Sequence, residues 1–186
     1  MKITSLKALL IGFALLTSGI VSAEVAQEQR ESAAQKEQRI EKDLNELFLN
    51  GMNSAAVRLD KTQQVKPFAV MKRADGTIGT FEIKDTEKSK SMSVMDKALS
   101  VRKLLIELAA EKQIVASVLV MYATVGKKGE KPRQGLTFEV EHAEGVSMMR
   151  FLPVTQKPLE NDQINPTLVF EIESIVSTAK PKTVFR

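Results

Sequence analysis

The stretch Ser93–Val125 constrains the fold more than any other, because its apolar periodicity changes once along its length. In the first half, apolar residues recur at steps of three and four, which predicts a core-facing helix. These residues are Val94, Ala98, Val101, Leu105 and Leu108. Ser93 and Asp96 are typical of the start of such a helix, where a hydroxyl accepts an unpaired amide hydrogen. The second half, Ile114–Val125, is apolar and rich in β-branched residues, which predicts one strand.

The first 23 residues have the three parts of a secretory signal. Lys2 and Lys7 give a basic start, Ala8–Leu16 an apolar centre, and Val21-Ser22-Ala23 a small-residue cleavage site. A retained spanning helix is the alternative, but it needs about 20 apolar residues, and the run is interrupted after Leu16. We therefore expect cleavage after Ala23 and a periplasmic or secreted protein with no stable membrane anchor.

Charge and cysteine content exclude several classes of function. Removal of residues 1–23, which contain two lysines and no acidic residue, lowers the formal net charge from +4 to +2. This near-neutral balance argues against nucleic acid as a partner, because nucleic-acid binding relies on many phosphate contacts. The chain contains no cysteine, which excludes disulfide scaffolds, zinc thiolate sites, iron–sulfur clusters and thiol nucleophiles.

The rest of the chain is predicted to form a polar lead followed by one domain. Residues 24–38 are helical in composition but have little to bury, so this lead can be partly disordered. Residues 39–186 are long enough for a single domain with its own core. The domain is predicted to begin with a docked helix over Arg39–Asn50, which Gly51 ends or bends. Its apolar side consists of Ile40, Leu44, Leu47 and Phe48.

The remaining segments predict strands joined by short turns. Pro67–Ile83 is predicted to form a hairpin, with Asp75-Gly76 at the two positive-φ positions of a type I′ turn. Two further strands, Leu136–Glu141 and Val146–Val154, flank a turn at Ala143-Glu144-Gly145.

The C-terminal part is predicted to contain one more strand and an extended tail. The strand is placed at Thr167–Ile172. The basic tail Lys180–Arg186 is expected to be extended, with Val184 and Phe185 able to dock on the domain.

This element order predicts an α+β fold. The order α-ββ-α-βββ suggests a single antiparallel sheet of about five strands with helices packed on it, and it resembles that of profilin-like and roadblock-like domains. The simplest uncrossed sheet has the strand order second, first, fifth, fourth, third, which places Ile114–Val125 at an edge. A bare apolar edge is either covered by a terminal segment or paired with a second copy, so a homodimer through this edge is our hypothesis.

Several short runs resemble a widespread group of small uncharacterised bacterial proteins. That group has the pattern P-F-G-A, then D-G, then L-E-H-x-D-G, then Y-L-P, and the resemblance covers roughly residues 65–154. The matching runs here are Pro67-Phe68-Ala69-Val70, Asp75-Gly76, Val140-Glu141-His142-Ala143-Glu144-Gly145 and Phe151-Leu152-Pro153. This chain departs from the pattern at Ala69-Val70 and at Glu144. The resemblance implies the domain and no activity.

His142 is the single histidine of the chain, so it is the one imidazole that a metal site or a catalytic base could use. Neighbouring strand residues point to opposite faces, so His142 and Glu141 cannot share a site, and Glu144 is the one local acid within reach. Catalytic zinc usually has three protein ligands. Ser117 and Ser147 lie outside any G-x-S-x-G motif, and no Walker A or G-x-G-x-x-G run occurs. We therefore interpret His142 as a hydrogen-bonded turn residue, and we expect neither a metal nor a cofactor.

The sequence favours a non-catalytic accessory or binding protein that acts through contacts with a protein partner. The residues predicted to make these contacts lie on the expected edge strand and in the basic loop after it: Leu119, Met121, Lys127, Lys128, Lys131 and Arg133. The alternative is a carrier or sensor of a small apolar ligand, bound by a methionine-rich face. This face would comprise Met92, Met95, Met121, Met148 and Met149, although these positions also suit a core. A hydrolase that uses His142 is the third possibility.

Overall fold

The computed structural model describes residues 31–62, 65–126, 131–154, 176–180 and 182–185. The chain divides into two units, Met1–Arg39 and Ile40–Arg186. In the first unit, the described residues begin a helix. The backbone N–H of Ser32 donates to the Gln35 side chain, and the backbone N–H of Gln35 donates to the Ser32 hydroxyl. This reciprocal pair satisfies two amide groups that the helix itself leaves without acceptors.

The described helices and strands follow the predicted order of helix, two strands, helix and strands. They are α1 (Ala33–Thr62), β1 (Phe68–Arg73), β2 (Ile78–Glu82), α2 (Glu87–Lys90), α3 (Val94–Ala110), β3 (Ile114–Val125), β4 (Arg133–His142), β5 (Ser147–Pro153) and β6 (Val176–Ala179). All strand pairs are antiparallel and belong to one sheet. The α+β class with a single antiparallel sheet is therefore confirmed. The strand predicted at Thr167–Ile172 lies outside the described residues.

β3 lies in the interior of the sheet, which corrects the predicted position of Ile114–Val125 at an edge. The strand order is β2-β1-β3-β4-β5-β6, so β3 pairs with β1 on one side and with β4 on the other. The predicted spatial order therefore placed the wrong strand beside β1. A strand that is apolar on both faces buries the most apolar area at the centre of a sheet, which explains this position.

From Ile40 on, α1 covers one face of the sheet, and it continues to Thr62 through Gly51, where the sequence predicted that the helix ends or bends. A Cβ atom at Gly51 would lie 3.2 Å from Val120 Cγ2, and 3.6 Å from side-chain atoms of Val118 and Phe138. The missing side chain thus lets the helix approach β3 and β4 closely, which outweighs the cost of about 1 kcal/mol for glycine inside a helix. Nearby, the rings of Phe48 and Phe138 pack edge to face, with their centroids 4.9 Å apart.

α3 covers the opposite face, over β1 and β3. Its buried stripe contains Ala98, Val101 and Leu105, which pack against a cluster that includes Leu119. The expected cap is present, since the Ser93 hydroxyl accepts the backbone N–H of Asp96. Val94 was predicted to lie in this stripe but is 52% exposed, because the packed part of the helix begins one turn later.

The hairpin turn between β1 and β2 is a three-residue turn, which corrects the predicted type I′ turn. The backbone N–H of Gly76 donates to the carbonyl of Arg73, and the backbone N–H of Arg73 donates to the carbonyl of Thr77. Gly76 has a φ of +86°, whereas Asp75 is not among the described residues with positive φ. The Asp75 carboxylate instead accepts the backbone N–H of Thr77, which ties the turn locally.

The packed stripe of α3 can be tested by truncation. Leu105→Ala should lower the free energy of unfolding by roughly 2–5 kcal/mol, because it removes buried methyl groups and leaves a cavity. Lys103→Ala is the control on the same helix, where the side chain is 81% exposed, and its effect should stay within about 0.5 kcal/mol. Urea unfolding of both variants measures the difference. Equal midpoints would contradict the assignment of the buried face.

Candidate functional site

β4 ends at two neighbouring residues, Glu141 and His142, whose side chains are buried on opposite faces of the sheet. His142 lies on the face that α1 covers, since the Asp43 carboxylate of α1 is its neighbour. Glu141 lies on the other face, where it contacts the C-terminal residues. The sequence-based inference that these two side chains cannot share a site is therefore correct.

On the face of the sheet that carries His142, a cluster of charged residues lies under α1. Lys72 of β1, Ala116 of β3 and His142 of β4 lie side by side across the sheet. Asp43 Oδ1 accepts a hydrogen bond from Lys72 Nζ at 2.7 Å, and its Oδ2 lies 3.6 Å from His142 Nε2.

The geometry around His142 gives the imidazole a structural role. Its Nδ1 accepts a hydrogen bond from the backbone N–H of Glu144 at 3.1 Å, so Nε2 carries a ring proton, and Nε2 lies 3.6 Å from Asp43 Oδ2. The side chain has no exposed area. A general base must reach the proton that it removes, and here both ring nitrogens face atoms of the protein. The described contact comes from the backbone of Glu144 rather than its carboxylate.

Lys72 supplies the positive charge of this cluster. Its Nζ also donates to Glu46 Oε2 at 3.1 Å. The hydrogen bond to Asp43 raises the pKa of Lys72 above its usual value, although burial acts in the opposite direction. The lysine therefore stays charged, and it pairs with the mostly buried Asp43. No group of three or more histidine or carboxylate side chains that could hold a metal occurs in the described part of the chain.

On the opposite face, the Glu141 carboxylate binds the C-terminal residues. It accepts hydrogen bonds from Lys180 Nζ, from the Thr183 hydroxyl, and from the backbone N–H groups of Thr183 at 3.0 Å and Val184 at 2.8 Å. Burial alone raises the pKa of Glu141, but these donors outweigh it and lower the pKa to about 2. The carboxylate is thus ionised over the physiological range.

Two further charges extend this contact along the sheet. Lys180 Nζ lies 3.5 Å from Glu139 Oε2, and Glu139 Oε1 accepts a hydrogen bond from Arg102 of α3 at 2.7 Å. The sequence predicted that Val184 docks on the domain, and Val184 is indeed buried. The charges that position the tail were not predicted. The available signal was the pair Glu139 and Glu141, which alternate with apolar residues in a strand where one face was assumed to be solvated.

Of the six residues that were predicted to contact a partner, the four that the structure describes have different surroundings. Leu119 and Met121 are buried beneath α3, because β3 is central rather than at an edge. Lys127 and Lys128 lie outside the described residues. Lys131 and Arg133 are exposed at the start of β4.

The methionines proposed as a ligand-binding face are also dispersed. Met121 is buried under α3, Met148 packs against the cluster under α1, and Met95 is exposed. These three side chains therefore belong to three different surroundings, and the structure does not gather them into one binding face.

α3 carries a second apolar stripe that the sequence analysis did not single out. Met95 is 61% exposed, Leu99 51% and Ile106 37%. Their spacing of four and seven residues places them on one side of the helix, next to the buried stripe. The signal was present in the sequence as a helix that is apolar over more than one face. We call these three residues the α3 stripe.

Comparison of the chain with family models, with curated proteins and with solved structures found no match. Within the described residues, none of the helices combines the length and the apolar character that a membrane span requires.

The ionised state of Glu141 predicts a pH-dependent contribution to stability. Because its pKa falls from 4.5 to about 2 on folding, its contribution is complete above about pH 4.5 and is lost as the pH falls towards 2. At pH 7, Glu141→Gln should lower the free energy of unfolding by roughly 3 kcal/mol, and this difference should halve by about pH 3. Urea unfolding of both proteins at several pH values measures it.

Glu107→Gln is the matched control, because Glu107 is an exposed acid on α3. Its effect should stay within about 0.5 kcal/mol at every pH. A Glu141→Gln effect that does not change between pH 7 and pH 3 would contradict the depressed pKa.

Proposed function

We propose that this chain is an exported, non-catalytic accessory protein that acts by binding another protein through the α3 stripe. The observation that carries this proposal is the exposure of Met95, Leu99 and Ile106 on one side of a helix. Single exposed apolar residues are common on protein surfaces. Three on one helix side, over about 17 Å at 1.5 Å per residue, form an apolar strip of the kind that protein contacts use, with the Arg102 side chain between Leu99 and Ile106.

The surroundings of the ionisable groups support a non-catalytic role. Asp43 and Glu141 are buried, and both accept hydrogen bonds from the protein's own donors. His142 is buried with Nδ1 bonded and Nε2 directed at Asp43. These groups therefore hold the fold together and are not presented to a substrate.

The charges beside the α3 stripe favour a partner with a basic border. Asp96, Lys103, Glu107 and Glu111 follow one another at steps of seven, four and four, so they lie on one side of the helix, adjacent to the stripe. All four are exposed, and the three acids outnumber the lysine. An apolar surface bordered by lysine or arginine would complement this arrangement. A second copy of the chain is the competing occupant.

A matched pair of leucines tests the stripe. Leu99 of α3 is 51% exposed and Leu49 of α1 is 50% exposed, so Leu99→Glu and Leu49→Glu place the same charge at equally accessible helix positions. We expect Leu99→Glu to lose a partner that is captured from periplasmic extract by the wild type and by Leu49→Glu. Equal capture by both variants would contradict the proposed surface.

Sedimentation of the mature protein separates the two occupants. If the wild type is a dimer at tens of micromolar and the Leu99→Glu variant is a monomer, the stripe binds a second copy of the chain. A wild type that remains monomeric leaves the stripe to a different protein.

Export is tested by the mass of the protein after expression in a bacterial host. We expect a chain that begins at Glu24, because Val21-Ser22-Ala23 has the small residues of a cleavage site. Intact-mass analysis of the periplasmic fraction measures the N-terminus. A membrane-bound product that retains Met1–Ala23 would contradict this part of the proposal.

A further inference from the structure

The C-terminal segment, residues 176–180 and 182–185, contacts the sheet as an extended peptide would. Its first part, β6, pairs with β5 in antiparallel register, with Val176 opposite Phe151 and Ala179 opposite Met148. β6 is thereby the outermost described strand on its side of the sheet. Addition of an extended segment to a sheet edge is a common mode of peptide recognition, in which main-chain hydrogen bonds provide affinity.

After β6 the C-terminal segment turns over the end of β4, where the Glu141 carboxylate accepts its donors. Lys180 supplies the cation, and the backbone N–H groups of Thr183 and Val184 supply two further hydrogen bonds. Val184 is buried in the cluster under α3. Along the segment, the site therefore contacts a cation (Lys180), a hydroxyl residue three positions later (Thr183) and then a β-branched aliphatic residue (Val184). Side-chain contacts of this kind give specificity to strand addition.

The Glu141 carboxylate makes loss of this segment costly. All the hydrogen bonds described for this side chain come from the C-terminal segment. A carboxylate that is buried and loses its donors carries an uncompensated charge, which is strongly unfavourable. Replacement of the segment is therefore favoured only by another chain that brings a cation and free N–H groups.

We infer that the β5 edge and the Glu141 carboxylate form a binding site for an extended cationic segment of a partner protein, with the chain's own C-terminal segment as its resident occupant. The same contacts can form within one chain or between two chains. The covalent connection changes only the effective concentration of the occupant. A partner segment of matching chemistry thus competes with the resident one. None of the residues that form this site belongs to the α3 stripe.

The test weakens the resident segment and then supplies it as a separate peptide. The probe is a fluorescein-labelled peptide with the sequence of residues 176–186, and its binding to the full mature chain is followed by fluorescence anisotropy. Lys180→Glu in the protein places an acid beside Glu139 and Glu141, so it should release the resident segment. We expect this variant to bind the peptide about tenfold or more tightly than the wild type does.

Three controls connect binding to the proposed contacts. Glu141→Gln, added to Lys180→Glu, should abolish the gain in peptide affinity. A peptide that carries glutamate in place of Lys180 should not bind. Leu99→Glu, added to Lys180→Glu, should leave peptide binding unchanged, so a failure of this site is distinguishable from a failure of the α3 stripe.

Val184→Ala is a second weakening variant, which shortens the apolar contact of the segment without altering its charges. It should also raise the peptide affinity, by a smaller factor, and it keeps the test decisive if Lys180→Glu does not fold. Peptide affinity equal to that of the wild type in the folded variants would overturn the inference. A further outcome is that the wild type sediments as a dimer and the Lys180→Glu variant as a monomer. This result would show that two copies exchange their C-terminal segments at this site, and it would overturn the inference that a different protein binds there.

Discussion

The need to cover both faces of β3 organises the described structure. β3 runs through the middle of the sheet with apolar side chains on each face, so neither face can be left to water without a large loss of buried area. α1 covers one side and approaches β3 closely at Gly51. α3 covers the other side together with Val184 of the C-terminal segment. Because α3 is apolar over more than this buried side, it also presents an apolar strip to the solvent.

The charges at the end of β4 link these two coverings to the sheet. His142 and Asp43 connect β4 to α1, and Glu141 connects β4 to the C-terminal segment. Both contacts join residues that are far apart in the sequence. Buried ion pairs such as those of Glu141 with Lys180 and of Asp43 with Lys72 contribute modestly to net stability but are costly to break, because each leaves an unpaired charge. They therefore specify which segments lie against the sheet more than they add to its stability.

Local patterns predicted the elements well and their spatial arrangement poorly. The change of period between α3 and β3 and the hairpin turns follow from residues a few positions apart, and they were placed correctly apart from the turn type at Asp75-Gly76. Which strand lies beside β1 is decided by pairing between β1 and β3, which are some 45 residues apart in the sequence. A sheet with a different strand beside β1 was an equally simple uncrossed arrangement. Likewise, the contact between Glu141 and Lys180 has no local signature. Gly51 was expected to end or bend the helix, because the strand that it approaches is distant in the sequence and gives no local signal.

The side-by-side placement of Glu141 and His142 also guards the alignment of β4 with its neighbours. A slip of β4 by one residue would exchange the faces of all its side chains. It would take the Glu141 carboxylate away from Lys180 and from the backbone N–H groups that donate to it, and would separate the imidazole from Asp43. The two adjacent residues thus act as an electrostatic check on strand register.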